Sequence, residues 1–307
     1  MVSVVIPTRY RPQLILRALR SVLAQTFHPL EVVVVVDGPD EATVIALSKI
    51  TDSRLKVVTL PACVGPASAR NAGVNEARGS WIAFLDDDDE WLPHKLEVQM
   101  EAAKSSRYAF PIVTSRFVAR TLEGDFVWPK RLKAPSEPLS EYLFTRKPFY
   151  QKAGMIPTPT LLTNKALLEA HAFSSNTWLH EDWEWLLRVS TVQGVGIEFV
   201  PEALSVIHVQ EGRGSLSDTK DWRRSLAWIR ENRDVVTPRG YAGFVVTLVS
   251  PIAAREGDWT AFWLLLQEAR RFGKPRVSDF LLYILWWLIP QNIRGRFGAY
   301  VARYRKP

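Results

Sequence analysis

Four consecutive carboxylates, Asp86, Asp87, Asp88 and Asp89, follow the apolar run Trp81 to Leu85. Two like charges about 4 Å apart repel by roughly 4 kcal/mol at an effective dielectric near 20. Such a row therefore needs a cation, protonation or full solvation. Its oxygens suit a hard divalent ion; the plainer alternative is a solvated acidic turn. A further acid, Asp37, ends the run Val32 to Val36. A carboxylate there can accept hydrogen bonds from the N–H and O–H donors of a nucleobase or ribose. Between these acids lies Val64-Gly65-Pro66-Ala67-Ser68-Ala69-Arg70-Asn71. Gly65 permits close backbone approach, and Arg70 can neutralise or stack on a nucleotide. The sequence has no G-x-G-x-x-G and no G-x-x-x-x-G-K-[ST], so neither a dinucleotide site nor a P-loop is supported.

These groups need elements to hold them. Val2 to Ile6 reads as a strand, followed by the loop Pro7-Thr8-Arg9-Tyr10. Pro12 opens a helix whose Leu16, Leu19, Val22 and Leu23 recur at helical spacing. The five valines Val32 to Val36 fit a parallel strand buried on both faces. Ala42 to Ile50 reads as helix, Leu55 to Leu60 as strand and Pro66 to Ala77 as helix. After the strand Trp81 to Leu85, Pro93 suits a first helical position, with Asp89 facing that helix's positive end. Strand and helix alternate, which predicts a layered α/β sheet with right-handed crossovers. Both acids then leave the C-terminal ends of strands, where open α/β sheets bind ligands.

The second half is less regular. Ala109 to Thr114, Phe117 to Thr121, Thr160 to Thr163, Ile197 to Val200 and Leu204 to Val209 read as strands. A helix starts near Glu181, Glu211 to Ser217 is a Gly/Ser-rich loop, and from about Lys220 only helical patterns remain.

The chain has 307 residues, 47% hydrophobic and 23% charged, as in an ordinary globular protein. Its net charge of +7 points to an anionic partner such as a nucleotide or a lipid surface. Nucleic acid is not expected, because the basic residues are dispersed and form no known motif. Twelve tryptophans suggest carbohydrate stacking or a membrane interface, although any single Trp is more often core. Cys63 is the only cysteine, which excludes an internal disulfide and suits a reducing compartment. The N-terminus has no secretory pattern, and the apolar run Phe280 to Pro290 is shorter than the roughly 20 residues needed to cross a bilayer. A cytoplasmic location is expected, with peripheral contact at the inner face of the cell membrane.

The segments VSVVIPTRYRP, EVVVVVDGPD and VGPASARNAGVNEARGSWIAFLDDDDEWLPHKL together resemble family 2 glycosyltransferases, enzymes of the GT-A fold. The resemblance covers most of the first hundred residues. It implies a mixed, mostly parallel sheet flanked by helices, a nucleotide-diphosphate-sugar donor, a Mg²⁺ or Mn²⁺ ion and an inverting single displacement. Carried onto this chain, Pro7, Thr8, Arg9, Asp37 and Gly65 lie on the nucleotide, with Thr8 and Asp37 at the base and Arg70 near it. Asp86 and Asp88 form the Asp-x-Asp motif, with Asp88 the direct metal ligand and Asp86 or Asp87 on the ribose. Val36 stands where the family commonly has another Asp, which leaves the base contact to Asp37.

The resemblance also implies a general base in a Glu-Asp pair at a helix start, and His180-Glu181-Asp182-Trp183-Glu184-Trp185 fits. Asp182 is the expected base and Glu181 a supporting or acceptor-orienting group. Adjacent acids at a helix N-terminus are also what the helix dipole favours by itself. His208 falls where some relatives place a residue near the metal or diphosphate, though a lone His in an apolar strand is more often core. Arg213, Ser215 and Ser217 could meet phosphate oxygens from the loop that follows.

The expected organisation is a glycosyltransferase domain over 1–218, with a nucleotide half (1–105) and an acceptor half (106–218). A helical region over 219–307 follows. In it, Phe280 to Pro290 precedes Arg294, Arg296, Arg303, Arg305 and Lys306, and no acid occurs after Asp279. That pattern suits an anionic bilayer surface, and with it a glycan or lipid-linked saccharide acceptor of cell-envelope polysaccharide synthesis; the alternative is a helical hairpin that packs on the catalytic domain with its arginines exposed. The competing classes are a metal-dependent nucleotidyltransferase and a non-catalytic basic nucleotide- or nucleic-acid-binding module. The first would show a Gly-rich loop after the first strand, and Pro7 to Pro12 has none.

Overall fold

The structure, a computed structural model, describes residues 1–146, 154–175, 179–209 and 221–288. It divides into two units. One comprises Met1–Ala134 with Met155–Leu216; the other comprises Pro135–Gly154 with Ser217–Pro307. The sequence expectation of a single cut near residue 218 thus misses 135–154, which belong with the helical unit.

The first unit is built on one nine-stranded sheet. Its first half alternates β1 (Val2–Thr8), α1 (Pro12–Leu23), β2 (Leu30–Val36), α2 (Glu41–Ser48), β3 (Leu55–Thr59), α3 (Pro66–Glu76) and β4 (Trp81–Phe84). These four strands run parallel in the order β3-β2-β1-β4. The five valines of β2 are fully buried, as expected of a strand covered on both faces. Helix α3 lies close on β1 because Gly73 carries no side chain; a Cβ there would meet Val5 Cγ1 at 2.3 Å.

Beyond β4 come β5 (Glu90–Trp91), α4 (Lys95–Ser105), β6 (Phe110–Thr121), β7 (Gly124–Trp128), β8 (Leu162–Asn164), α6 (Lys165–Ala170), α7 (Glu181–Val189) and β9 (Val195–His208), with α5 (Leu139–Phe144) in the other unit. The sheet is mixed: β8 joins β4 and β6 antiparallel, β6 and β9 pair in parallel, and β5 is antiparallel to β9. Two pairs of expected short strands are continuous. The runs around 109–121 form one strand, and those around 197–209 form another, in which register shifts opposite Ser115 to Phe117 absorb Pro201 and Glu202 and then Leu204. The strand expected over Thr160 to Thr163 is β8, two residues later at Leu162–Asn164, and a turn of 3₁₀ helix at Thr158–Thr160 precedes it. Helix α4 starts at Lys95, two residues after Pro93.

The second unit is helical among its described residues: α5, α8 (Trp222–Glu231), α9 (Pro238–Phe244), a π-turn at Val245–Val249, α10 (Ser250–Glu256), α11 (Thr260–Phe272) and α12 (Val277–Leu288). Phe144 packs edge-on against Phe244 at 4.9 Å and Trp228 at 6.3 Å in its core. Two ion pairs staple the helices. Arg230 holds Glu268, which also accepts from the Tyr241 hydroxyl, and Arg239 holds Asp279. No described helix is long and apolar enough to cross a membrane. The loop bearing Arg213, Ser215 and Ser217 and the basic residues beyond Pro290 lie outside the described residues.

Candidate active site

The acidic row leaves β4 and turns, with the Asp89 N–H donating to the Asp86 carbonyl at 3.2 Å. Three of the four carboxylates meet an arginine in this turn and the fourth a backbone N–H, which offsets part of the repulsion expected of them. Asp86 accepts from Arg70 of α3 at 2.9 Å. Asp87 accepts from the Thr8 hydroxyl at 2.7 Å and from Arg11 at 2.9 Å, and Arg11 also reaches Asp88 at 2.9 Å. Asp89 accepts the backbone N–H of His208 at 3.0 Å. It is 4% exposed, and so it ties the turn to β9 rather than serving the N-terminus of α4.

Exposure alternates along the row. The side chains of Asp86 and Asp88 are 33% and 27% exposed, whereas Asp87 and Asp89 are buried. Burial pushes the Asp87 carboxyl up to about 6, against the pull of Thr8 and Arg11. Burial and the charge of Asp86 raise Asp88 as well, and burial with both neighbours raises Asp89 far above the carboxylate range. The segment after the row is clamped to α1. Ser21 Oγ accepts the Trp91 N–H, while Gln25 donates to the Leu92 carbonyl and accepts the Leu96 N–H.

The nucleotide-side residues sit at the ends of adjacent parallel strands. The Asp37 N–H donates to the Thr8 carbonyl at 2.9 Å, so Asp37, Thr8 and Asp87 stand in line across β2, β1 and β4. Both Asp37 carboxylate oxygens accept backbone N–H groups, from Val64 at 2.7 Å and Gly65 at 3.0 Å. Asp37 thus fixes the approach to α3, where Gly65 adopts φ +86° as the residue before Pro66. Pro7 lies within β1 and Arg9 is exposed just beyond it.

Arg70 differs from expectation. It is 5% exposed and bridges Asp86 to Glu181, the latter at 3.1 Å, rather than extending to a base. Burial works against its charge, but Asp86 and Glu181 more than offset that and keep it protonated. The bridge joins the acidic turn to the first residue of α7. That helix is locked from below: Phe173 stacks on Trp185 at 5.1 Å and meets Phe84 of β4 edge-on at 5.4 Å. Asn71 of α3 exchanges two hydrogen bonds with the Phe173 backbone. Asp182 therefore stands on a fixed helix, one residue from the bridge. Burial, then the charges of Glu181 and Asp86, push its carboxyl up to about 7, opposed by Arg70. His180, with φ +62°, stacks on Trp183 at 4.7 Å, and burial takes its ring down to about 4.

The expected metal set is not assembled as one. His208 Nε2 lies 2.8 Å from Glu90, and its backbone is held by Asp89. Among the described residues no group of three or more His, Cys, Asp or Glu side chains is arranged around one metal position. Sequence reasoning missed Arg11 and Arg17, which hold the acidic turn: Arg17 donates to the Asp88 carbonyl at 2.5 Å. It also missed Tyr10, a residue 63% exposed beyond β1 whose N–H is held by Asp40 at φ +54°. The signal was the cluster Arg9-Tyr10-Arg11 directly after the first strand.

Comparison with known proteins finds relatives and solved structures similar to this chain. WfgD of Escherichia coli, named as a UDP-Glc:alpha-D-GlcNAc-diphosphoundecaprenol beta-1,3-glucosyltransferase, is 32% identical over 133 residues, 43% of this chain and 53% of that protein. The amylovoran biosynthesis glycosyltransferase AmsB of Erwinia amylovora is 25% identical over 257 residues, covering 78% of this chain and 82% of AmsB. This chain thus spans about half the length of WfgD, and only 26% of the succinoglycan biosynthesis protein ExoO of Rhizobium meliloti. The crystal structure of S. aureus TarS 1–349 in complex with UDP-GlcNAc superposes with a TM-score of 0.55 at 18% identity, over 93% of this chain and 79% of that one, and shares its GT-A fold. The profile described as glycosyl transferase family 2 matches residues 3–170, from β1 through the acidic turn to α6, and by that match this chain belongs to glycosyl transferase family 2.

Proposed function

We propose that this chain transfers a sugar from a nucleotide-diphosphate-sugar to a hydroxyl of a glycan or lipid-linked saccharide, in the synthesis of cell-envelope polysaccharide, by a single displacement that inverts the anomeric centre. The observation that supports it most is the Arg70 bridge, which holds Asp86 at the acidic turn and Glu181 beside Asp182. A carboxyl titrating near neutrality is suited to general-base work, and Asp182 has that character. Its carboxylate would accept the acceptor's hydroxyl proton as that oxygen attacks the anomeric carbon and the bond to the diphosphate breaks. Glu181 acts as a positioning group: it anchors Arg70, and its charge raises the proton affinity of Asp182.

The nucleoside is assigned to the strand ends, with Pro7, Thr8, Arg9, Asp37 and Gly65 around it, the exposed Tyr10 ring available for stacking, and Asp86 or Asp87 toward the ribose. The donor set fits a hard cation, because the two exposed acids of the row, Asp86 and Asp88, offer only oxygen. Mg²⁺ characteristically takes one or two carboxylates plus substrate phosphates rather than an all-protein cage. Mg²⁺ or Mn²⁺ held by Asp86 and Asp88 would screen the diphosphate and stabilise the negative charge it gains on leaving. A UDP-sugar is the first donor to test, since WfgD is named for UDP-Glc and TarS was solved with UDP-GlcNAc. Nucleoside diphosphate release from a panel of nucleotide-sugars, with and without Mn²⁺, tests the reading. Release from one donor that depends on acceptor and metal is expected; no release from any donor would overturn it.

A further inference from the structure

In the helical unit, α11 and α12 pack through Phe262, Tyr283 and Trp287. The Phe262 ring lies 5.3 Å from Tyr283 and 5.4 Å from Trp287. On α12 the buried side chains are Asp279, Tyr283 and Trp287, at intervals of four. The other face carries Leu281, Ile284, Leu285 and Leu288, spaced as one helical stripe and exposed at 60%, 43%, 49% and 67%. Val277 extends the stripe, and Trp263 and Leu264 of α11 are exposed as well. Trp259, also exposed, lies 5.4 Å from Trp287 and so adjoins the far end of α12. Soluble monomers rarely leave so continuous an apolar face uncovered.

The charges around the stripe say what covers it. Arg270, Arg271, Lys274 and Arg276 are exposed at its near end. After α12 the sequence adds Arg294, Arg296, Arg303, Arg305 and Lys306, with no acid beyond Asp279. Asp279 itself is buried against Arg239. A second copy of the chain would bring these cations together and is disfavoured. An anionic lipid surface complements them and accepts leucine and tryptophan at the level of its headgroups. The twelve described residues of α12 span about 18 Å, short of the roughly 30 Å hydrocarbon core, a length that suits a helix lying along a bilayer surface.

We propose that the α11–α12 face docks this protein on an anionic bilayer surface. The docking does not depend on the sugar-transfer reading. Flotation of the full chain with vesicles of phosphatidylcholine alone, or mixed with phosphatidylglycerol, tests it. The chain should float with the mixed vesicles, less so as salt is raised, and its tryptophan emission should shift to the blue. The pair Leu281→Asp and Leu285→Asp, at exposed positions, should lower partitioning at least about tenfold while circular dichroism stays unchanged. The milder pair Leu281→Ser and Leu285→Ser should lower it in the same direction and keeps the test available if the aspartates perturb folding. Failure of the full chain to float with phosphatidylglycerol at low salt would overturn the proposal. So would undiminished flotation of the variants, or sedimentation showing a dimer that the variants dissociate.

Discussion

Asp182→Asn isolates the base. Asparagine keeps an oxygen for the Trp183 N–H, which Asp182 now accepts at 2.8 Å, so the start of α7 retains its local geometry. What disappears is the proton acceptor, and a positioned base contributes about 10²–10⁴-fold in rate. The carboxyl titrates at about 7, so kcat/KM of the wild type should climb about tenfold per pH unit below that value and level off above it. The variant should lack this limb, while donor affinity by calorimetry should be unchanged.

Stability supplies a second, independent readout of the same group. A carboxyl raised from 3.8 to about 7 in the fold contributes stability that is full below 3.8 and is lost as pH rises through 7. About three units at 1.36 kcal/mol each set a ceiling near 4 kcal/mol. Partial solvent contact and the charge shared with Glu181 reduce that to roughly 1–2 kcal/mol. Asp182→Asn should therefore gain stability over the wild type at pH 8 and gain little at pH 4. Turnover near the wild-type level, or an acid limb that persists in the variant, would refute the assignment.

Further outcomes follow from neighbouring groups. Asp88→Ala should abolish the part of donor binding that depends on Mn²⁺, measured by calorimetry with and without the ion; unchanged binding would remove Asp88 as a ligand. Arg70→Met leaves Asp86 and Glu181 without their shared cation. In urea titration it should cost roughly 2–4 kcal/mol, somewhat below a fully buried pair because Asp86 is partly exposed. The acid limb of kcat/KM should also move to higher pH, since Arg70 holds Asp182 down. Lys95 is fully buried, 2.5 Å from Gln99 Oε1 and 3.9 Å from the Trp91 ring centre, and burial lowers its pKa far below the usual range. Its stabilising contribution is full above the unfolded pKa near 10.4 and is lost as pH falls through the depressed folded value. Lys95→Met should therefore raise stability at pH 7 and flatten its rise toward pH 10 in thermal melts.

The parts of this molecule that depend on nearest neighbours were legible in the sequence. Five β-branched valines in a row fit a strand covered on both sides, and β2 is that strand. The acids after Val36 and Leu85 do stand at strand ends, and α7 does begin at Glu181. What the sequence hid is long-range. Arg70 meets Glu181 across 111 positions and Asp89 meets His208 across 119, and no local pattern specifies such partners. The same holds for the bulge at Pro201, which lets two apparent strands run as one. It holds too for α5, whose Phe144 packs on Phe244 far along the sequence. His208 was singled out because some relatives place a residue there near the metal or diphosphate, and its Nε2 lies 2.8 Å from Glu90.

The central claim is transfer of a sugar from a nucleotide donor at the acidic turn, with Asp182 as base. Its most direct test is to incubate the full chain with a UDP-sugar, Mn²⁺ and a lipid-linked saccharide acceptor, and to follow nucleotide release together with the anomeric configuration of the product by NMR. Release of nucleoside diphosphate and a product of inverted configuration are expected, both lost in Asp182→Asn. Release of pyrophosphate, which marks a nucleotidyltransferase, or a product of retained configuration would contradict the claim.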